Sequence, residues 1–128
     1  MEKRALLLDS SNQIDAHDFQ IHILPSLAEL SGFLEYESFS GDELAFLEDG
    51  EELMLSVKHG REYKDIFGRK KVISDFKYIE ASRTGDFSRS DILKTIVKTF
   101  LARRGVHVEA SSEIEVLIGM LVKEIGLR

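Results

Sequence analysis

Four potential metal ligands, Asp15, His17, Asp18 and His22, fall within eight residues of one another. Carboxylate and imidazole together suit a borderline divalent ion, provided that the side chains converge. On an extended strand Asp15 and His17 share a face, as residues i and i+2 must. His22, five residues beyond His17, points the other way. An Asp15/His17 pair therefore needs further ligands from elsewhere in the fold. A polar loop leading into a strand accounts for the same residues without an ion. The expectation is a chain with no metal and no cofactor.

A second set could do phosphoryl chemistry. Asp49 is followed by Glu62-Tyr63-Lys64, and this spacing resembles the Asp…Glu-x-Lys signature of metal-dependent nucleases. In those enzymes two carboxylates hold Mg²⁺ and a lysine steadies the attacking water or the scissile phosphate. The resemblance covers three residues and implies a nuclease or phosphodiesterase-type enzyme built on Asp49, Glu62 and Lys64. The nucleases carry the motif on a strongly apolar strand, whereas Arg61 and Asp65 flank it here. The chain has no Walker loop, dinucleotide glycine pattern, nucleophile elbow, HExxH or EF-hand sequence. It has no cysteine either, which excludes thiolate chemistry, zinc fingers and a disulfide framework. An enzyme is thus the alternative, not the expectation.

The third set is basic. Arg61, Lys64, Arg69, Lys70, Lys71 and Lys77 interleave with Tyr63, Phe67, Phe76 and Tyr78. Aromatics beside a basic groove are how proteins hold single-stranded nucleic acid, with Arg69, Lys70 and Lys71 at the centre of such a surface. Three observations weigh against it. The chain is acidic overall, with a net charge of −6. Lysines at a hairpin tip commonly serve solvation and edge protection. Val72, Phe76 and Tyr78 also alternate on one face, as core residues of a strand do. The charge is split along the chain: residues 1–60 carry −10 and residues 61–128 carry +4. The basic segment therefore complements the protein's own acidic half, and nucleic acid is not the expected partner.

The elements that would position these residues are legible to different degrees. Period-2 alternation predicts strands over 52–58, 62–67 and 71–79, joined by turns at His59-Gly60 and Gly68-Arg69-Lys70, as a three-stranded antiparallel meander. Two helices follow, over 91–104 and 112–125. Ser90 is the candidate N-cap of the first, and Gly105 with Val106 its glycine-and-apolar ending. Ser112-Glu113-Ile114-Glu115 reads as a capping box for the second, which closes at Gly126-Leu127. Short strands are expected at 4–8 and 19–23, with Pro25 in the first turn of a helix running to about residue 34. Residues 40–50 fit a short helix capped by Ser40 and Glu43, or a turn before a strand at 44–47; alternation favours the strand.

The last helix has more apolar surface than one face needs. Ile114, Leu117, Ile118, Leu121 and Ile125 form an inner stripe, and Val116, Met120 and Leu127 form a second strip. Either the helix is sandwiched, or the second strip is the seam of a homodimer.

At 128 residues the chain suits one domain, 1–128. The expected fold class is α+β, an antiparallel β-meander packed against a C-terminal pair of α-helices. The short apolar run Ala5–Leu8 is too brief for a signal peptide, and no stretch reaches the length needed to span a bilayer. A cytoplasmic protein without membrane partners is expected. The functional expectation is a non-enzymatic interaction module (an adaptor, an immunity-type or regulatory protein, or a small chaperone) that acts on a protein partner. The metal-dependent enzyme and the nucleic-acid binder are the alternatives.

Overall fold

The computed structural model describes residues 2–9 and 20–127. Five strands form one antiparallel sheet: β1 (Ala5–Asp9), β2 (Gln20–Leu24), β3 (Leu44–Leu47), β4 (Glu52–Lys64) and β5 (Lys70–Asp86), in the order β2-β1-β3-β4-β5. Helix α1 (Leu27–Phe33) and a 3-10 turn (Tyr36–Ser38) connect β2 to β3. Helices α2 (Ser90–Arg103) and α3 (Ile114–Ile125) follow the sheet. The fold class is α+β as expected, with the two C-terminal helices packed together.

The core lies at the β2-β1-β3 end. β1 is apolar on both faces because both are covered. Leu6 and Leu8, with Ile21, Ile23 and Phe46, meet Leu93, Val97 and Leu101 of α2 and Ile114, Leu117, Ile118 and Leu121 of α3. Ala5 and Leu7 point the other way and join Leu24, Ala45, Leu47, Leu53 and Ala81 against Leu30 of α1. Each fully buried Leu or Phe in these layers contributes roughly 1.5–3 kcal/mol.

The helix ends obey local rules unevenly. At the end of α2 the Val106 N–H donates to the Leu101 carbonyl at 2.9 Å and the Gly105 N–H to Ala102 at 3.1 Å. Gly105 has φ +78°. These bonds make the Schellman ending that the sequence predicts, with Val106 packed on the core. The starts differ from expectation. Ser90 is the first residue of α2, and Arg89 occupies the cap without a side-chain capping bond. α3 begins at Ile114 with Glu113 as cap, so the Ser112–Glu115 box does not form. α1 is capped by Ser26, whose hydroxyl accepts the Glu29 N–H at 3.2 Å, and Pro25 precedes the helix instead of entering it. The Ser40–Glu43 pair does close: the Glu43 carboxylate accepts from the Ser40 N–H at 2.9 Å and from its hydroxyl at 2.6 Å. It closes a turn before β3 and not a helix.

The largest departure is in the middle. Residues 52–58 and 62–67 are not two strands. His59-Gly60 does not reverse the chain, and β4 runs through it. Its partner β5 is 17 residues long and pairs on both sides of the interruption, His59 with Lys77 and Arg61 with Ile73. Gly60 takes φ +81° at a register shift, where one residue of β4 faces three of β5, 74–76, between the His59–Lys77 and Arg61–Ile73 pairs. The meander is therefore β3-β4-β5, and its last two strands form one long ribbon. α2 and α3 cover the β2-β1-β3 end, so Val72 and Phe76 are exposed and Tyr78 is only half-buried. The shared apolar face expected for these three residues is not core.

Candidate functional site

The β4–β5 ribbon is built in two parts, a clamped root and a bare arm. At the root Glu51 is buried, with 1% of its surface exposed. Its carboxylate accepts from Arg83 Nη2 at 2.8 Å, from Arg83 Nε at 3.1 Å and from the Gly85 N–H at 3.1 Å. The Arg83 guanidinium first, and the Gly85 amide second, hold the Glu51 carboxyl down at about 2, well below its usual 4.5. The Thr84 hydroxyl donates to the Glu52 carbonyl at 2.5 Å, and Arg89 pairs with the Glu52 carboxylate at 3.0 Å. Leu53, Leu55 and Ala81 complete the attachment beneath α1.

No described residue from 57 to 78 is buried. From Val57 to Lys64 the ribbon extends about 25 Å at roughly 3.3 Å per residue. It ends in a five-residue turn. The Gly68 N–H donates to the Asp65 carbonyl at 2.9 Å and the Asp65 N–H to the Arg69 carbonyl at 3.0 Å. Gly68 takes φ +76°, the left-handed position such a turn needs. The Asp65 carboxylate accepts the Phe67 and Arg69 amides at 2.9 and 3.0 Å and pairs with Arg69 Nε at 3.1 Å. The Arg69 guanidinium lies 5.1 Å from the centre of the Phe67 ring.

Asp65, Gly68 and Arg69 thus build the turn, and Ile66 and Phe67 are what it displays. Ile66 is 92% exposed and Phe67 73%, at the two central positions of the turn that the Gly68-to-Asp65 bond closes. Tyr63 and Val72, in successive pairs of the ribbon and so on opposite faces, are exposed as well. The flanks are basic. Lys64 stands directly opposite Lys70, and Lys71 opposite Tyr63; like charges directly opposite on a ribbon are destabilising. Over residues 57–78 seven Lys/Arg face three Asp/Glu, a net +4, which leaves −10 for the rest of the chain.

The other candidate residues are placed as follows. Asp15, His17 and Asp18 lie outside the described residues. His22 stacks 5.1 Å from the Phe33 ring. Among the described residues no group of three or more His, Asp and Glu is arranged to hold a metal ion. Asp49 sits in the β3–β4 turn, where its carboxylate accepts from Lys3 Nζ at 2.6 Å and from the Glu51 N–H at 3.1 Å. Glu62 is ten residues along β4 from Glu52, on the order of 30 Å away. Asp49 therefore shares no site with Glu62 and Lys64. Arg69, Lys70 and Lys71 do gather at the ribbon tip. On α3 the second apolar strip divides. Met120 packs against the core, while Val116 and Leu127 remain 54% and 51% exposed. Leu127 lines a groove with Phe100, Arg104 and Ile125. Among the described residues no helix is long and apolar enough to cross a membrane.

Sequence reasoning missed Ile66. Its signal was present, an Ile-Phe pair directly before a turn glycine. Counting 62–67 as strand hid the fact that these two residues occupy the turn.

No protein-family model matches the chain, and neither does any curated protein or any solved structure.

Proposed function

We propose that this protein is a non-enzymatic interaction module that engages a partner protein through the tip of the β4–β5 ribbon. The observation that carries the reading is the Ile66-Phe67 pair, exposed at the end of the arm in a turn closed by Asp65, Gly68 and Arg69. An apolar pair ringed by Lys64, Lys70 and Lys71 fits a protein surface with an apolar depression and an acidic rim. Apolar anchors at the centre of a contact supply its affinity, and the surrounding charges set orientation and encounter rate.

A photo-crosslinking residue at position 66, in the protein expressed at native level, tests this. The expected result is a discrete protein adduct that disappears when Phe67 is changed to Ser. Adducts with nucleic acid alone, or none at all, overturn it.

A second reading rests on the same lysines. A two-stranded ribbon can enter a nucleic-acid groove, and an apolar tip can wedge between bases. The arm is longer than the ~8–10 Å over which salt screens charge, so the acidic body does not by itself forbid this. Oligonucleotide binding at two salt concentrations separates the two readings, because phosphate contacts lose affinity steeply with salt.

A further inference from the structure

We infer that the partner of the ribbon tip is a second copy of this chain, and that two copies exchange arms side by side, each tip seating in the acidic cleft beside the root of the other's arm. The inference rests on the reading that the tip is the binding element, and adds its occupant.

The cleft lies between the sheet and the α1 segment, with a volume of about 250 Å³. Leu7, Phe33, Leu34 and Phe39 line it, and Asp9, Glu35 and Glu43 contribute carboxylates. It thus joins an apolar lining to negative charge, the inverse of a tip that joins Ile66 and Phe67 to Lys64, Lys70 and Lys71. Carboxylates at the cleft oppose the like charges of the direct Lys64–Lys70 pair.

The tip cannot reach the cleft of its own chain. Lys77, near the root of the arm, lies 5.3 Å from the Tyr36 ring, and Tyr36 adjoins the cleft residue Glu35. The cleft therefore flanks the root, and the tip stands a further ~20 Å or so along an extended ribbon. That placement suits an exchange between copies. Two ribbons lying antiparallel bring each basic tip to the other's acidic root. The two contacts are then related by a two-fold axis, so the assembly closes as a dimer and does not propagate as a filament.

Light scattering across a dilution series, at low and high salt, is the test. The expected result is a dimer of twice 14.5 kDa that weakens as salt rises, because charge pairs at a rim are screened. Phe67→Ser should raise the dimer dissociation constant at least ~10-fold with the fold intact, as loss of a central anchor does. Lys70→Glu and Glu35→Lys should each weaken the dimer, and the double variant Lys70→Glu/Glu35→Lys should recover most of it. Recovery in the double variant is the result a merely structural role would not give. A monomer at every concentration and salt overturns the inference. So does a dimer that Met120→Lys splits and Phe67→Ser leaves whole, which assigns the seam to Val116, Met120 and Leu127. The position-66 crosslink distinguishes the two levels of failure. An adduct to a different protein sinks the self-exchange and keeps the interaction reading, whereas no protein adduct sinks both.

Discussion

Two turns in this sheet share one backbone and have opposite surroundings. In the β3–β4 turn the Leu47 N–H donates to the Glu51 carbonyl at 2.8 Å and the Gly50 N–H to Leu47 at 2.9 Å, with Gly50 at φ +96°. The β4–β5 turn repeats this between Asp65 and Arg69, with Gly68 in the place of Gly50. The first turn displays Glu48 and Asp49, and both are tied down: Arg4 Nε meets Glu48 at 2.7 Å and Lys3 meets Asp49 at 2.6 Å. Its glycine sits against α2. The second turn displays Ile66 and Phe67, and the ribbon carries them away from every helix. Identical local chemistry thus serves as a structural corner in one place and as a display in the other. What separates them is distance from the core.

That contrast orders the expected effects of substitution. The largest should come from the body. Phe46→Ala empties a fully buried site between β3 and the helix pair and should cost about 3–5 kcal/mol, read as a fall in the denaturation midpoint. A loss below ~1 kcal/mol would mean that the two layers are not one core.

The root clamp comes next, and it makes stability depend on pH. The Glu51 carboxyl titrates at about 2 when folded and near 4.5 when free. A carboxyl with a depressed folded value stabilises fully above the free value. Its contribution is lost as pH falls from about 4.5 towards 2. Thermal melts of the wild type should therefore weaken through that window. Glu51→Gln should be less stable near neutrality and should flatten the decline. A decline of unchanged steepness in Glu51→Gln would assign acid sensitivity to other carboxylates.

The glycines of the two turns sharpen the comparison directly. At Gly50 an added Cβ would meet the Ser90 Cβ at 3.0 Å, whereas at Gly68 it would meet nothing within 4 Å. Both positions carry a positive φ, so Ala is strained at either by about 1–3 kcal/mol. Gly50→Ala should cost more than Gly68→Ala, since it also displaces the start of α2. Equal losses would show that α2 yields freely.

The smallest effect on folding is expected at the tip. Ile66→Ser and Phe67→Ser should change stability by no more than ~0.5 kcal/mol, as exposed substitutions do, while Phe67→Ser removes the adduct formed from position 66. A cooperative loss of fold in either variant would place the tip in a core and break the comparison.

The chain dictated what depends on neighbours in sequence. Gly105-Val106 specified the end of α2, because a left-handed glycine and one apolar residue are all that the ending requires. The inner stripe Ile114, Leu117, Ile118 and Leu121 specified the buried face of α3, since helical period and burial coincide. Alternation specified β3, and the α+β class followed from strands preceding a helix pair.

Other features were settled only by tertiary partners. Gly60 lies within a strand instead of a turn because β5 is long enough to pair on both sides of it. Val72 and Phe76 alternate as core residues do, yet neither is buried, and alternation records a shared face without recording what lies above it. Lys3, Arg4, Arg83 and Arg89 find their carboxylates across 32 to 46 residues of chain or from one element to the next, so no local pattern announces them. The same holds for the candidate site. The residues of the tip are contiguous and could be read directly. Their exposure could not, because exposure is set by where the helices stop. Sequence fixes which backbone shapes each short segment prefers; the packing of distant segments decides which of its side chains are left facing water.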